Sequence, residues 1–131
     1  MSNSLFIQKT IDYIQVELIN AEAGHDWQHI KRVWTNALHI AQFEQVNNLV
    51  VELAALLHDI ADSKFHHGDE TIGPKKAREF LESIHVDENI IQHVVLIIQH
   101  ISFKGGNFNR EFTSPELQVV QDADRLDAIG A

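Results

Sequence analysis

The sequence predicts an all-α fold, a compact bundle of about six helices. Apolar residues recur every three to four positions along most of the chain, the spacing of one buried helical face. We find no convincing alternation of apolar and polar residues of the kind that marks a half-buried strand. The length of 131 residues fits one domain, spanning residues 1–131, and 44% hydrophobic residues can supply its core.

The first three helices are predicted from apolar faces bounded by turn and capping residues. The first helix places Ile7, Ile11, Ile14 and Leu18 on one face. Gly24 ends it, and Asp26 can cap the second helix. The inward residues of the second helix are Ile30, Val33, Trp34, Ala37, Leu38 and Ala41. An Asn47–Asn48 turn precedes the third, which carries Leu49, Leu53, Leu56, Leu57 and Ile60.

The last three helices are predicted from their start signals. Pro74 suits the first residue of the fourth helix, because proline has no N–H to donate. Asp87 can cap the fifth helix, and Ser114 stands before a proline where the sixth begins. Two polar, glycine-containing segments, residues 63–73 and 103–113, are predicted as loops near a site.

Composition argues against several classes of function. With no cysteine there is neither a disulfide nor a thiolate metal site. The net charge of −9 and the absence of a dense basic run argue against polymeric nucleic acid as the main partner. No run reaches the roughly 18 apolar residues of a membrane span, and the N-terminus is unlike a signal peptide. We therefore expect a cytoplasmic protein without a membrane partner.

The strongest chemical motif lies at the end of the third predicted helix. His58 and Asp59 are adjacent within an apolar segment, and Asp62 follows three positions later. Ionisable groups in such surroundings are costly unless they are paired or bound to a metal. The alternative is a simple His–Asp ion pair that closes the helix, and this motif taken alone does not decide between the two.

Three further segments carry histidine or aspartate beside apolar residues. His29 lies in the first turns of the second helix, and Asp124 lies on the inward face of the sixth. A hydrogen-bonded structural histidine and a solvated acidic helix face are the simpler explanations for these two. His93 and His100 share a face of the fifth helix. For that pair, two border histidines of a core helix are favoured slightly over metal ligation.

In combination, the order H…HD…D resembles the HD-domain superfamily of metal-dependent phosphohydrolases. The local sequence resembles a bacterial branch of stand-alone HD hydrolases, over roughly residues 20 to 131. The four segments that carry the resemblance are GHDWQHIKRVW, LAALLHDIADSKFHHGDE, HVVLIIQHISFKGG and VVQDADRLDAIGA.

The resemblance implies one divalent metal ion held by a mixed set of nitrogen and oxygen ligands. Its ligands are expected to be His29, His58, Asp59 and Asp124. Such a set suits Mn, Fe, Co, Ni or Zn better than Ca, and Mg is also allowed. Additional histidines lie between the HD pair and the last aspartate, but their spacing does not decide whether a second ion binds.

The resemblance also implies hydrolysis of a small phosphorylated substrate, above all a nucleoside triphosphate cleaved to monophosphate and pyrophosphate. Asp62 is the candidate general base or water-orienting group. The candidate phosphate-binding residues are Lys64, His66, His67, His93, His100 and Lys104, with Arg125 a weaker candidate. The alternatives are a nucleotide-binding or regulatory HD module without turnover, a phosphomonoesterase, and a purely structural bundle.

Members of this branch continue with further helices beyond the last aspartate, whereas this sequence stops at Ala131. We therefore expect either a short form or a partial chain. The sequence does not predict an oligomeric state.

Overall fold

Six helices form the architecture of the chain, as the sequence predicts. The computed structural model describes residues 2–19, 27–60, 71–102 and 112–130. The helices are α1 (Asn3–Ile19), α2 (Trp27–Ala41), α3 (Asn48–Leu57), α4 (Ile72–Ser83), α5 (Glu88–Ser102) and α6 (Pro115–Gly130). Within those ranges there is no strand, so the all-α prediction is confirmed.

Helix α3 is the centre of the bundle and packs against α1, α2, α5 and α6. A helix that is apolar on all sides has to be covered on all sides. Eight of its ten residues are buried: Leu49, Val50, Val51, Leu53, Ala54, Ala55, Leu56 and Leu57. Each fully buried leucine contributes about 1.5–3 kcal/mol of transfer free energy. The C-terminal end of α3 is therefore held rigidly inside the protein.

Helices α2 and α6 pack against each other and both contact α3. The buried face of α2 carries Ile30, Val33 and Ala37, which recur at three- and four-residue spacing. The facing helix α6 buries Val120 and Ala123. This packing brings the polar residues at the edge of the α2–α6 contact close to the end of α3.

The predicted capping residues Asp87 and Ser114 are confirmed. A side-chain oxygen of Asp87 accepts a hydrogen bond from Asn89 N–H at 3.1 Å. Ser114 Oγ accepts one from Leu117 N–H at 3.0 Å. Both caps supply an acceptor for an N–H group that has no partner within its own helix.

Two predicted boundaries differ from the structure. The turn predicted at the Asn47–Asn48 pair is the start of α3, where Asn47 Oδ1 accepts from Val50 N–H at 3.3 Å. Pro74 is the third residue of α4, since the helix begins at Ile72 after Thr71. Proline is tolerated there because the first four N–H groups of a helix have no intrahelical acceptor. The predicted loop over residues 63–73 therefore extends too far, and its residues 63–70 lie outside the described part.

Helix α4 ends in a Schellman motif built on a residue other than glycine. Val86 N–H donates to Leu81 O and His85 N–H donates to Glu82 O, each at 3.1 Å. His85 has a φ of 64°, in the left-handed region that favours glycine. Val86 and Leu81 are both buried, so they hold the turn in place.

We expect His85→Gly to stabilise the protein by about 1 kcal/mol. Glycine removes the steric cost of the left-handed conformation, and its greater freedom in the unfolded chain offsets part of that gain. The measurement is chemical denaturation of both proteins. His39→Gly is the matched control, because His39 lies inside α2, where the same change should lower stability. An equal loss of stability in both variants would contradict the prediction.

No helix among the described residues combines the length and apolar character required to cross a bilayer.

Candidate metal centre

Side chains from three helical segments meet at the end of α3. His29 comes from the first turn of α2, His58 and Asp59 follow the last residue of α3, and Asp124 comes from α6. His58 Nε2 lies 3.5 Å from Asp124 Oδ1, and His29 Nε2 lies 3.9 Å from the same oxygen. His29 Nε2 is also 4.0 Å from Asp59 Oδ2. The four residues that the sequence predicts as metal ligands are therefore neighbours in space.

The position of His58 and Asp59 differs from the prediction that both lie within a helix. Helix α3 ends at Leu57, and His58 is its C-cap. His58 Nδ1–H donates to Ala55 O at 2.7 Å. If the helix continued, the Ala55 carbonyl would accept a hydrogen bond from the N–H of Asp59. Here the His58 imidazole donates to that carbonyl in place of the backbone N–H. The histidine thus caps α3 while its other ring nitrogen faces the site.

His58 is almost completely buried, with 4% of its side chain exposed. Burial alone would lower its pKa, but the Asp124 and Asp59 carboxylates and the Ala55 carbonyl together raise the pKa of His58 above its ordinary value. These carboxylates stabilise positive charge at the imidazole. The same negative field favours a bound cation.

His29 is oriented by a carboxylate that the sequence analysis left without a role. Its Nδ1 lies 2.6 Å from Asp127 Oδ2, so its Nε2 faces Asp59 and Asp124. The other Asp127 oxygen accepts from Arg32 Nε at 2.5 Å. The arginine bond lowers the pKa of Asp127 against the effect of burial, and the bond to His29 lowers it further. Asp127 is thus an ionised acceptor, so the Nδ1 atom of His29 carries the proton of this hydrogen bond.

The donor atoms fit a transition-metal ion. His29, His58 and Asp59 each offer one ligand atom, and these atoms all lie within 4.8 Å of one another. The Asp124 oxygen extends the set. Around an ion with ligands at about 2.0–2.3 Å, neighbouring donor atoms lie roughly 3.0–3.5 Å apart. Three of the separations are 3.5–4.0 Å and the other pairs among His29, His58 and Asp59 lie within 4.8 Å, so binding of an ion would draw the donor atoms closer together.

Of the two histidines of α5, His93 and His100, His93 lies near the opposite end of α6 from Asp124. His93 Nε2 lies 2.8 Å from Ser114 Oγ and 3.7 Å from Glu116 Oε1, at the first turn of α6. Both rings also pack edge-on against Phe112. Asp124 is ten residues beyond Ser114, about 15 Å along the helix axis. For His93, these contacts favour a border histidine of a core helix over a metal ligand.

Asp62, Lys64, His66, His67 and Lys104 lie outside the described residues. The same holds for Asp26, the predicted cap of α2. Arg125, the weaker candidate for phosphate binding, is 65% exposed, and its guanidinium is 4.0 Å from Asp122.

Known proteins resemble this chain over most of its length. The family model described as HD domain matches residues 26–129. The uncharacterised protein YpgQ of Bacillus subtilis is 37% identical over 120 residues, covering 91% of this chain and 58% of YpgQ. This chain therefore spans less than two thirds of the length of that relative.

Solved structures give the same likeness. A crystal structure of an HD-superfamily hydrolase from Bacillus thuringiensis superposes with a TM-score of 0.79 at 38% identity, covering 98% of this chain and 62% of that one. The crystal structure of B. subtilis YpgQ in complex with ADP superposes with a TM-score of 0.76 at 32% identity, covering 98% and 61%.

Proposed function

Because the chain belongs to the HD-domain family, we propose that it is a metal-dependent phosphohydrolase. The observation that carries this proposal is the meeting of two imidazole nitrogens and two carboxylates from α2, the end of α3 and α6. We assign His29, His58, Asp59 and Asp124 as the ligands of one divalent ion. Mn, Fe, Co, Ni and Zn suit this mixed set best.

The other proposed roles, proton transfer and binding of phosphate charge, belong to protein side chains. When bound, the ion supplies positive charge that polarises the phosphorus–oxygen bond. Asp62, three residues after Asp59, is the proposed general base that accepts a proton from the attacking water. The proposed groups that neutralise phosphate charge are Lys64, His66, His67, His100 and Lys104.

We propose a nucleotide as the substrate. The structure of YpgQ in complex with ADP supports this choice, because that protein shares the fold at 32% identity. Because the chain carries a net charge of −9, binding of a small polyphosphate requires local positive charge at the site. Our preferred reaction converts a nucleoside triphosphate to the monophosphate and pyrophosphate.

A nucleotide panel supplied with Mn²⁺ tests the reaction. We expect monophosphate and pyrophosphate to accumulate in equal amounts, as measured by anion-exchange chromatography, and a chelator to stop both. Nucleoside with free phosphate would instead show a phosphomonoesterase. Nucleotide binding by calorimetry without product would show a regulatory module, and either outcome would overturn the proposed reaction.

A further inference from the structure

Two helices carry matching pairs of residues three positions apart at the candidate site. Helix α2 carries His29 and Arg32, and helix α6 carries Asp124 and Asp127. Residues at this spacing lie on the same helix face. His29 and Asp124 face each other at the proposed metal site, and Arg32 and Asp127 form an ion pair one helical turn further on.

We propose that Asp127 and Arg32 are positioning residues that fix the ring nitrogen with which His29 binds the metal. The inference rests on the proposed metal site. Asp127 holds His29 Nδ1 with one oxygen and Arg32 Nε with the other. An acceptor at Nδ1 keeps the proton there and leaves the Nε2 lone pair for the ion.

The contacts distinguish this pair from an ordinary surface ion pair. Asp127 is 8% exposed, whereas the carboxylate that binds Arg78, Glu88, is 55% exposed. Isolated exposed ion pairs contribute little to stability. A buried carboxylate that is shared between an arginine and a ligand histidine instead fixes the ring orientation and the tautomer of that histidine.

The two histidines are supported by acceptors of different charge. His58 donates to the neutral backbone carbonyl of Ala55, which no side-chain substitution removes. His29 donates to the side-chain carboxylate of Asp127, which a single substitution can change. A substitution of Asp127 can therefore change the orientation of His29 without replacing His29 itself.

Asp127→Asn tests the inference without changing the size of the side chain. The amide has a single oxygen, and Arg32 can only donate, so that oxygen will face Arg32 and the NH₂ group will face His29. His29 Nδ1 then becomes an acceptor, and its proton moves to the Nε2 atom that should hold the metal. We expect the affinity for Mn²⁺ and Co²⁺ to fall by about 10–100-fold.

The measurement is titration of the metal-free protein with Mn²⁺ or Co²⁺ by calorimetry, together with apo thermal unfolding. Asp122→Asn is the matched control, because Asp122 lies on the same helix but is 55% exposed. If Asp127 only joins α6 to α2, the variant will lose apo stability and keep wild-type metal affinity, which would overturn the inference. Failure of the wild-type protein to bind either metal would instead count against the proposed function.

A groove beside Asp127 allows a second test by chemical rescue. It has a volume of about 520 Å³ and lies between α2 and α6, with Arg32 and Asp127 in its wall. Formate can therefore enter the space left by Asp127→Ala and accept from both Arg32 and His29. We expect formate to recover part of the lost Co²⁺ affinity of Asp127→Ala and to leave Asp124→Ala unchanged. Equal effects of formate on the two variants would contradict a positioning role.

Discussion

Replacement of Asp62 by asparagine is expected to leave the metal in place and to lower turnover by about 10²–10⁴-fold. Asp62 follows the HD pair in a segment that also carries Lys64. An amide keeps the size of the carboxyl group but cannot accept a proton from water at neutral pH. The loss should therefore fall on kcat, while the metal content of the purified protein stays at the wild-type level.

Steady-state kinetics with the best nucleotide of the panel, combined with metal analysis, measures this effect. Asp87→Asn is a suitable control, since Asp87 caps α5 at a different position in the bundle. Its turnover should stay close to that of the wild type. If Asp62→Asn instead loses the metal, Asp62 is a ligand and its assignment as the base is wrong.

Replacement of Asp124 by alanine is expected to release the metal and to reduce activity to background. The Asp124 oxygen lies within 4 Å of both histidine Nε2 atoms, so it joins α6 to the other ligands. Without it the two histidines and Asp59 remain, and α6 no longer contributes a donor atom. The metal bound per chain after gel filtration should fall from about one to near zero.

Metal analysis of the Asp124→Ala protein loaded with Mn²⁺ measures this loss. Asp122→Ala is the control, because Asp122 is on the same helix with its side chain exposed. It should retain the metal and the activity. Full metal occupancy in Asp124→Ala would contradict the ligand assignment and would leave an ion held by the residues of α2 and the end of α3.

The helices could be predicted because their apolar faces are local patterns. Ile30, Val33 and Ala37 recur at helical spacing in the sequence and are buried in the structure. The end of α3 could not be predicted, because neither glycine nor proline marks it. It depends on the bond from the His58 ring to Ala55, which competes with the backbone hydrogen bond of a longer helix.

The resemblance predicted that the four proposed metal ligands lie close together. The carboxylate that orients His29 could not be predicted from the sequence. Asp127 lies 98 residues from His29 and 95 from Arg32. In the sequence it is one of three aspartates on a helix, a pattern typical of a solvated face. The i, i+3 spacing of Asp127 after Asp124 was the available signal. His93 is predicted to bind phosphate, and in the structure its ring contacts Phe112 edge-on.

The proposed ligands come from α2, α6 and the turn that follows α3, and this has a consequence for folding. An ion bound to them would join positions 29, 58 and 124, closing loops of 29 residues (58 − 29) and 66 residues (124 − 58) in a chain without cysteines. Unlike a disulfide, the ion would be released on unfolding, so it would stabilise the folded chain by binding to it and would not restrict the unfolded chain. At a free metal concentration 100 times Kd, such binding adds about 2.7 kcal/mol to the free energy of unfolding. The supply of metal would then determine how long the folded chain survives as well as whether it turns over substrate.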